Sequence, residues 1–182
     1  MNVLRCELDG LRIIEPTAFG DARGYFLETW NQRRYREAGI DAHFVQDNVS
    51  LSRRGALRGL HFQNPAPQGK LVSALQGEVF DVAVDLRRGS PTFGRWHGTD
   101  LSGENKRQFY IPPGFAHGFL VLSDTALFHY KCTAFYSPQD EWTIRWDDPD
   151  LAIRWPLREP VLSQKDSKGR FLRELPPEGL FE

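Results

Sequence analysis

Turn-forming residues punctuate this chain about every dozen residues, and that rhythm leaves room for little but short elements. The turn signals are Asp9-Gly10, Gly20-Asp21, Arg54-Gly55, Gln68-Gly69, Gln76-Gly77, Arg88-Gly89-Ser90-Pro91, Ser102-Gly103, Pro113-Gly114, Ser123-Asp124 and Ser137-Pro138. Between them lie runs rich in Val, Ile, Leu, Phe and Trp, residues that suit a pleated, half-buried surface. The pattern predicts an all-β barrel or sandwich. Asn31 to Ala38 is the exception: charged, free of β-branched residues and followed by Gly39, it predicts a short helix with a glycine stop. From about Ser163 onward the chain is polar and irregular, which predicts a C-terminal arm with a short helix. No internal repeat or long linker divides the sequence, so residues 1–182 are expected to form one domain.

Composition excludes several classes of function. A length of 182 residues with 40% hydrophobic content suffices for one real core. A formal net charge of -1 gives no basic field for nucleic acid. No apolar run approaches the roughly 20 residues that span a bilayer, and Met1 to Arg5 opens no signal-peptide apolar region. The expectation is a soluble, cytoplasmic protein without membrane or nucleic-acid partners. Cys6 and Cys132 are far apart and in no metal or redox spacing, so both are expected as reduced thiols.

Two segments carry readable alternation. Glu78 to Leu86 places Phe80, Val82 and Val84 on one face and Asp81, Ala83 and Asp85 on the other. An acid at every second position is what a wet face carries, so Asp81 and Asp85 are expected in solvent. Leu127 to Tyr136 places Phe128, Tyr130, Cys132, Ala134 and Tyr136 together. The two tyrosines would then lie roughly 20 Å apart, room for a long ligand with an aromatic ring at each end. A plain core face filled by the opposite sheet fits the same pattern.

Chemistry concentrates in Arg58-Gly59-Leu60-His61-Phe62-Gln63 and in Ile111 to Phe119, which contains His117. These look like the two strand motifs of a cupin-type barrel. Such barrels often hold a metal on histidines and a carboxylate; here Gln63 stands where the second histidine of the first motif would be. That moves the reading from metal chemistry toward a histidine that carries protons. Arg58 and His61 are three apart, so a regular strand would send them to opposite faces. Either Gly59 marks a bulge or Arg58 acts at the strand entry.

Together with Arg23-Gly24-Tyr25-Phe26-Leu27-Glu28, Phe44-Val45-Gln46-Asp47-Asn48, Gln68-Gly69-Lys70-Leu71-Val72, Gly77 to Val82, Tyr130-Lys131 and Leu162-Ser163-Gln164-Lys165-Asp166, these motifs resemble the dTDP-4-dehydrorhamnose 3,5-epimerases. The resemblance runs from about Arg23 to Asp166. It implies a jelly-roll, cupin-like β-barrel, a homodimer, and neither metal nor other cofactor. It also implies inversion of dTDP-4-dehydro-6-deoxy-α-D-glucose at C3 and C5 to dTDP-4-dehydro-β-L-rhamnose, on the route to dTDP-L-rhamnose and rhamnose-bearing polymers such as the O-antigen of lipopolysaccharide.

The residues can be weighed against that chemistry. A proton next to a ketone is weakly acidic, so its removal needs a base near neutral pKa and a stabiliser for the enolate oxygen. His61 is the best candidate base, although taken singly a histidine among apolar residues reads as a satisfied core residue. The resemblance implies that His61 is the base, that Asp166 holds it, that Tyr130 is the acid on the opposite face, and that Lys70 stabilises charge on O4. Taken singly, Lys70 reads as a surface lysine and Asp166 as an exposed turn residue. The resemblance further implies substrate binding by Arg23, Glu28, Gln46, Asn48, Arg58, His117, Glu141 and Lys165, with Tyr136 stacking on thymine and with Arg23 and Glu28 serving the partner's site. Two other classes of function compete. A metal-dependent cupin would use His61 and His117 but lacks the usual third protein ligand; a non-catalytic nucleotide-sugar binding module would not need both His61 and Tyr130. Within the family, an epimerase acting at C3 alone or C5 alone also fits the motifs.

Overall fold

Alternating side chains give each strand two faces, and the fold is decided by what covers each of them. The computed structural model describes residues 1–182. Its strands are β1 (Asn2–Arg5), β2 (Arg12–Glu15), β3 (Ala18–Asp21), β4 (Gly24–Leu27), β5 (Gln46–Arg53), β6 (Leu57–Gln63), β7 (Lys70–Gln76), β8 (Glu78–Asp85), β9 (Trp96–Ser102), β10 (Gln108–Ile111), β11 (Phe115–Val121), β12 (Thr125–Cys132) and β13 (Glu141–Thr143), with one helix, α1 (Gln32–Glu37). A six-stranded sheet in the order β1-β2-β10-β7-β12-β5 faces a five-stranded sheet in the order β13-β6-β11-β8-β9, and β3 and β4 form a separate hairpin. All these pairings are antiparallel. From β5 to β13 the chain passes back and forth between the two sheets, with only β8 and β9 consecutive in one of them. That path is the expected jelly roll.

The core between the sheets is built by Val72, Val79, Leu101, Phe109, Phe119 and Phe128. A second cluster covers the outer side of the five-stranded sheet, where Leu60, Val82, Val84 and Ala116 meet Ile144, Leu151 and Leu175. Both faces of β8 are therefore covered, and the expectation of a wet acidic face is wrong. Asp81 and Asp85 are both 0% exposed. The C-terminal segments take the Phe80 face, so the acidic face looks into the barrel. Burial of those carboxylates is tolerated because each is paired. Asp85 accepts from Arg87 Nη2 at 2.8 Å, Ser90 Oγ at 2.6 Å and Thr92 Oγ1 at 2.7 Å, while Asp81 meets His117.

The helix forms as expected. Asn31 caps it by accepting from Arg34 N at 3.2 Å, and Gly39 ends it at φ +87°. The C-terminal arm carries short helical turns, as expected, and it is packed against the barrel. It forms three single 3-10 turns at Asp166–Lys168, Leu172–Glu174 and Pro177–Gly179, and Leu175, Leu180 and Phe181 pack on the outer cluster. Cys6 and Cys132 are free thiols. No helix is long and apolar enough to cross a membrane.

The β6–β11 pairing settles how Arg58 and His61 share a direction. His117 pairs with His61, but Phe119 pairs with Arg58, so β6 spends one more residue than β11 over that interval. This is a bulge at Gly59. Gly59 has φ +123°, and a Cβ there would lie 2.6 Å from Gly118 Cα and 2.7 Å from the His117 carbonyl oxygen. Backbone cannot yield as a flexible side chain can. Gly59→Ala is expected to destabilise the protein by about 2 kcal/mol or more, from strained φ and overpacking combined. Urea unfolding measures it; a midpoint shift worth under half that value would show that the strands can part there.

Candidate active site

Between the sheets lies a cavity of about 300 Å³. Strand alternation selects its walls. The six-stranded sheet contributes Gln46, Asn48 and Ser50 from β5, Lys70 from β7, and Phe128, Tyr130 and Cys132 from β12. The five-stranded sheet contributes Arg58, His61 and Gln63 from β6, His117 and Phe119 from β11, and Glu141 from β13. Gln68, Tyr136 and Lys165 enter from loops. The face read from Leu127 to Tyr136 is divided: Phe128 is a fully buried core residue that also reaches the cavity, the strand ends at Cys132, Ala134 does not line the cavity, and Tyr136 arrives from the following loop.

Two histidine–carboxylate pairs stand on adjacent strands. His61 Nε2 lies 2.5 Å from Asp166 Oδ1. Asp166 is 3% exposed, not an exposed turn residue, and its other oxygen accepts from Ser163 Oγ at 2.7 Å. Burial works to raise the Asp166 pKa, but the bonds from His61 and Ser163 hold it below the usual carboxylate value. Burial lowers the His61 pKa; Asp166 opposes that shift while Lys165 and Lys70 add to it. A lowered pKa leaves the imidazole neutral near pH 7, as a base must be. The second pair joins His117 Nε2 to Asp81 at 2.9 and 3.0 Å. Burial raises the Asp81 pKa, against the pull of His117 and Lys70.

Across the cavity the six-stranded sheet supplies the complementary groups. Lys70 is 9% exposed, so it is no surface lysine. Its ammonium has no hydrogen-bond partner and no carboxylate within 4.0 Å, which leaves an unpaired cation facing the cavity. Burial pulls its pKa below the ordinary lysine value, while Cys132, Asp81 and Glu141 oppose that shift. The Tyr130 phenol is pushed up, by burial first and by Cys132 next, so it holds its proton at neutral pH. The His61 imidazole and the Tyr130 phenol thus line one cavity from different sheets.

The outer part of the cavity is polar. Tyr136 donates its hydroxyl to Glu141 Oε2 at 2.9 Å, and Lys165 Nζ donates to Glu141 Oε1 at 2.8 Å. Gln46 donates to Asn48 Oδ1 at 3.0 Å. Arg58 donates only to Ser52 Oγ, at 3.0 Å, and its charge is matched by no carboxylate. Arg23 and Glu28 are not brought to this cavity. Arg23 has a side chain 90% exposed at the β3–β4 turn, where it pairs with Asp21, and Glu28 pairs with Arg34 at 3.0 Å.

Asp81 and Ser163, which hold the two histidine–carboxylate pairs, were missed by sequence reasoning, as were the lining residues Ser50, Gln63, Gln68 and Cys132. Ser163 was legible in principle, because Ser-x-x-Asp is a capping spacing; Asp81 was hidden by its reading as solvated. Gln63 turns its amide to the backbone of nearby loops. No group of three or more His, Cys, Asp or Glu side chains is placed to share a metal ion.

A family profile described as dTDP-4-dehydrorhamnose 3,5-epimerase matches residues 5–174. The enzyme of that name from Pseudomonas aeruginosa is 58% identical over 172 residues, covering 93% of this chain and 95% of the relative. Its namesake from Methanothermobacter thermautotrophicus is 54% identical over 176 residues, covering 95% of each. Among solved structures, dTDP-6-deoxy-D-glucose-3,5-epimerase from Legionella pneumophila, in complex with dTDP-4-keto-L-rhamnose, superposes with a TM-score of 0.97. It is 57% identical, and the match covers 100% of this chain and 97% of that one. The profile match and these identities, over nearly the full length of each relative, make the chain a member of the dTDP-4-dehydrorhamnose 3,5-epimerase family.

Proposed function

We propose that the chain performs the reaction for which its family is named, inverting C3 and C5 of dTDP-4-dehydro-6-deoxy-α-D-glucose to give dTDP-4-dehydro-β-L-rhamnose. One observation carries the assignment of roles: His61 and Tyr130 face one cavity from opposite sheets. Inversion needs a proton removed from one face of the sugar and another delivered to the other face. His61 takes the proton from carbon, and Asp166 holds the imidazole and stabilises the imidazolium. The electron pair moves to O4, where Lys70, an ammonium without a counter-ion, stabilises the enolate. Tyr130 then protonates the same carbon from the other side, and exchange with water resets both groups. C3 and C5 both flank C4, so one O4 site serves both inversions once the sugar shifts between them.

The nucleotide end meets the polar outer part of the cavity. Arg58 and Lys165 supply charge to the diphosphate, Tyr136 stacks on thymine, and Gln46, Asn48, Glu141 and His117 position the ligand. Arg23 and Glu28 serve the partner's site in a homodimer. The β3–β4 hairpin supports this, since it holds Phe19, Tyr25 and Phe26 exposed beside Arg23.

Three outcomes test these roles. In deuterated water, NMR should show deuterium at both C3 and C5. His61→Ala should slow that exchange by about a hundredfold or more while dTDP still binds; near-native turnover in this variant would remove His61 as the base. Tyr130→Phe should lose inversion more than exchange.

The pH profile of kcat/KM follows from the shifts. Neutral His61 is required, and its pKa lies below 6.5, so activity should rise with pH through an acid limb below 6.5. The Lys70 ammonium is required and is lost below its ordinary 10.5, so the alkaline limb should fall below 10.5. Asp166→Asn removes a partner that raises the His61 pKa. The acid limb should therefore move lower still, with a plateau reduced about a hundredfold or more. An acid limb that moves up instead would contradict the pairing.

The shared site is tested by mixing subunits. His61→Ala and Arg23→Ala chains, each inactive or weak alone, should regain up to about a quarter of wild-type activity when co-assembled. Half the dimers are then mixed, and each mixed dimer has one site with both residues intact. No recovery would place Arg23 with its own chain's site.

A further inference from the structure

Residues 134 to 136, which carry the exposed ring of Tyr136, take part in no backbone–backbone hydrogen bond. Side-chain amides hold this loop instead. Gln68 Nε2 donates to the Ala134 carbonyl at 2.9 Å, and Gln46 Oε1 accepts from Tyr136 N at 2.9 Å. Gln63 does the most. Its Nε2 donates to Phe135 O at 3.2 Å and to Ala66 O at 3.0 Å, and its Oε1 accepts from Ser137 N at 2.9 Å. Those bonds grip the chain on both sides of Tyr136. Gln63 is buried on β6, two residues beyond His61 and paired in register with Glu141, the carboxylate that receives the Tyr136 hydroxyl.

We propose that Gln63 is a positioning residue for nucleotide recognition, locking the loop so that the Tyr136 ring is preset for the base. This rests on the assignment of Tyr136 as the stacking residue. An exposed aromatic ring on an untethered loop would have to be ordered on binding, at an entropic cost that weakens affinity. The amide suits the position because it has two N–H donors and a carbonyl acceptor on one planar group; a neutral imidazole has one of each. The place that would hold a metal-binding histidine in other barrels is thus occupied by a group whose geometry serves a loop.

The test is calorimetric titration with dTDP of the wild type, Gln63→Met, Tyr136→Ala and the double variant, with kcat and KM measured on the full substrate. Gln63→Met should weaken dTDP about tenfold, the effect of losing roughly one buried hydrogen-bond contribution. KM should rise in step while kcat falls far less. In the Tyr136→Ala background the same change should cost less than about twofold, because coupled residues are not additive. Equal losses in both backgrounds, or a collapse of kcat with dTDP affinity kept, would overturn the clamp. An unchanged Tyr136→Ala would overturn the stacking assignment and the clamp's purpose with it. A weakened Tyr136→Ala beside an unaffected Gln63→Met would overturn the clamp alone. If Gln63→Met does not fold, Gln63→Glu, which keeps the shape and the acceptor but loses both donors, makes the same comparison.

Discussion

Charges enclosed between two sheets have to be paired before the sheets can close on them, and the architecture of this protein turns on that constraint. Asp81, Asp85 and Asp166 are all buried, and each finds a cation or a set of donors: His117, the Arg87–Ser90–Thr92 cluster, and His61 with Ser163. Lys70 is the exception. It is buried without an anion of its own, and longer-range attraction to Cys132, Asp81 and Glu141 opposes the loss of its charge. An unmatched ammonium of this kind is costly in the resting protein and is useful only when negative charge develops beside it. The cavity is therefore prepared for an anion that forms during reaction, which is what an enolate is.

Much of this was legible in the chain. The turn rhythm gave the all-β class because short apolar runs between turns can bury a face only by pairing. Asn31 and Gly39 marked the helix by their capping chemistry. The Arg58–His61 spacing pointed to a bulge without deciding for it, since sequence periodicity cannot show whether a strand spends an extra residue. The structure decides because His117 pairs with His61 while Phe119 pairs with Arg58, so β6 spends the extra residue.

The failures have one physical source. Alternation tells which residues share a face but not which face is covered, and coverage depends on distant segments. Acids at every second position read as a wet face, with Phe80, Val82 and Val84 on the other side. The apolar face is real, but its cover comes from residues around Ile144, Leu151 and Leu175, and the opposite face is covered as well. The C-terminal arm shows the same limit. Its polar sequence indicates an arm with a short helix but not what the arm covers: single 3-10 turns set Asp166 against His61 and lay Leu175 and Phe181 on the outer sheet. Arg23 and Glu28 mark a different limit: neither lines the cavity in the single chain, and the role proposed for them depends on a second copy.

A barrel of this type gathers inward side chains from neighbouring strands, and the chemistry follows from what each histidine meets. Here the Nε2 atoms of His61 and His117, side by side in register, each meet a separate buried carboxylate. The two imidazoles therefore share no carboxylate between them. The third position that ligation would require is an amide committed to loop backbone. One strand, β6, therefore lines the cavity with three residues to which separate roles are proposed: Arg58 for phosphate charge, His61 for the proton, and Gln63 for the loop beside the nucleotide. The Gly59 bulge turns all three toward the same cavity, and so a residue without a side chain governs the direction of the side chains that act.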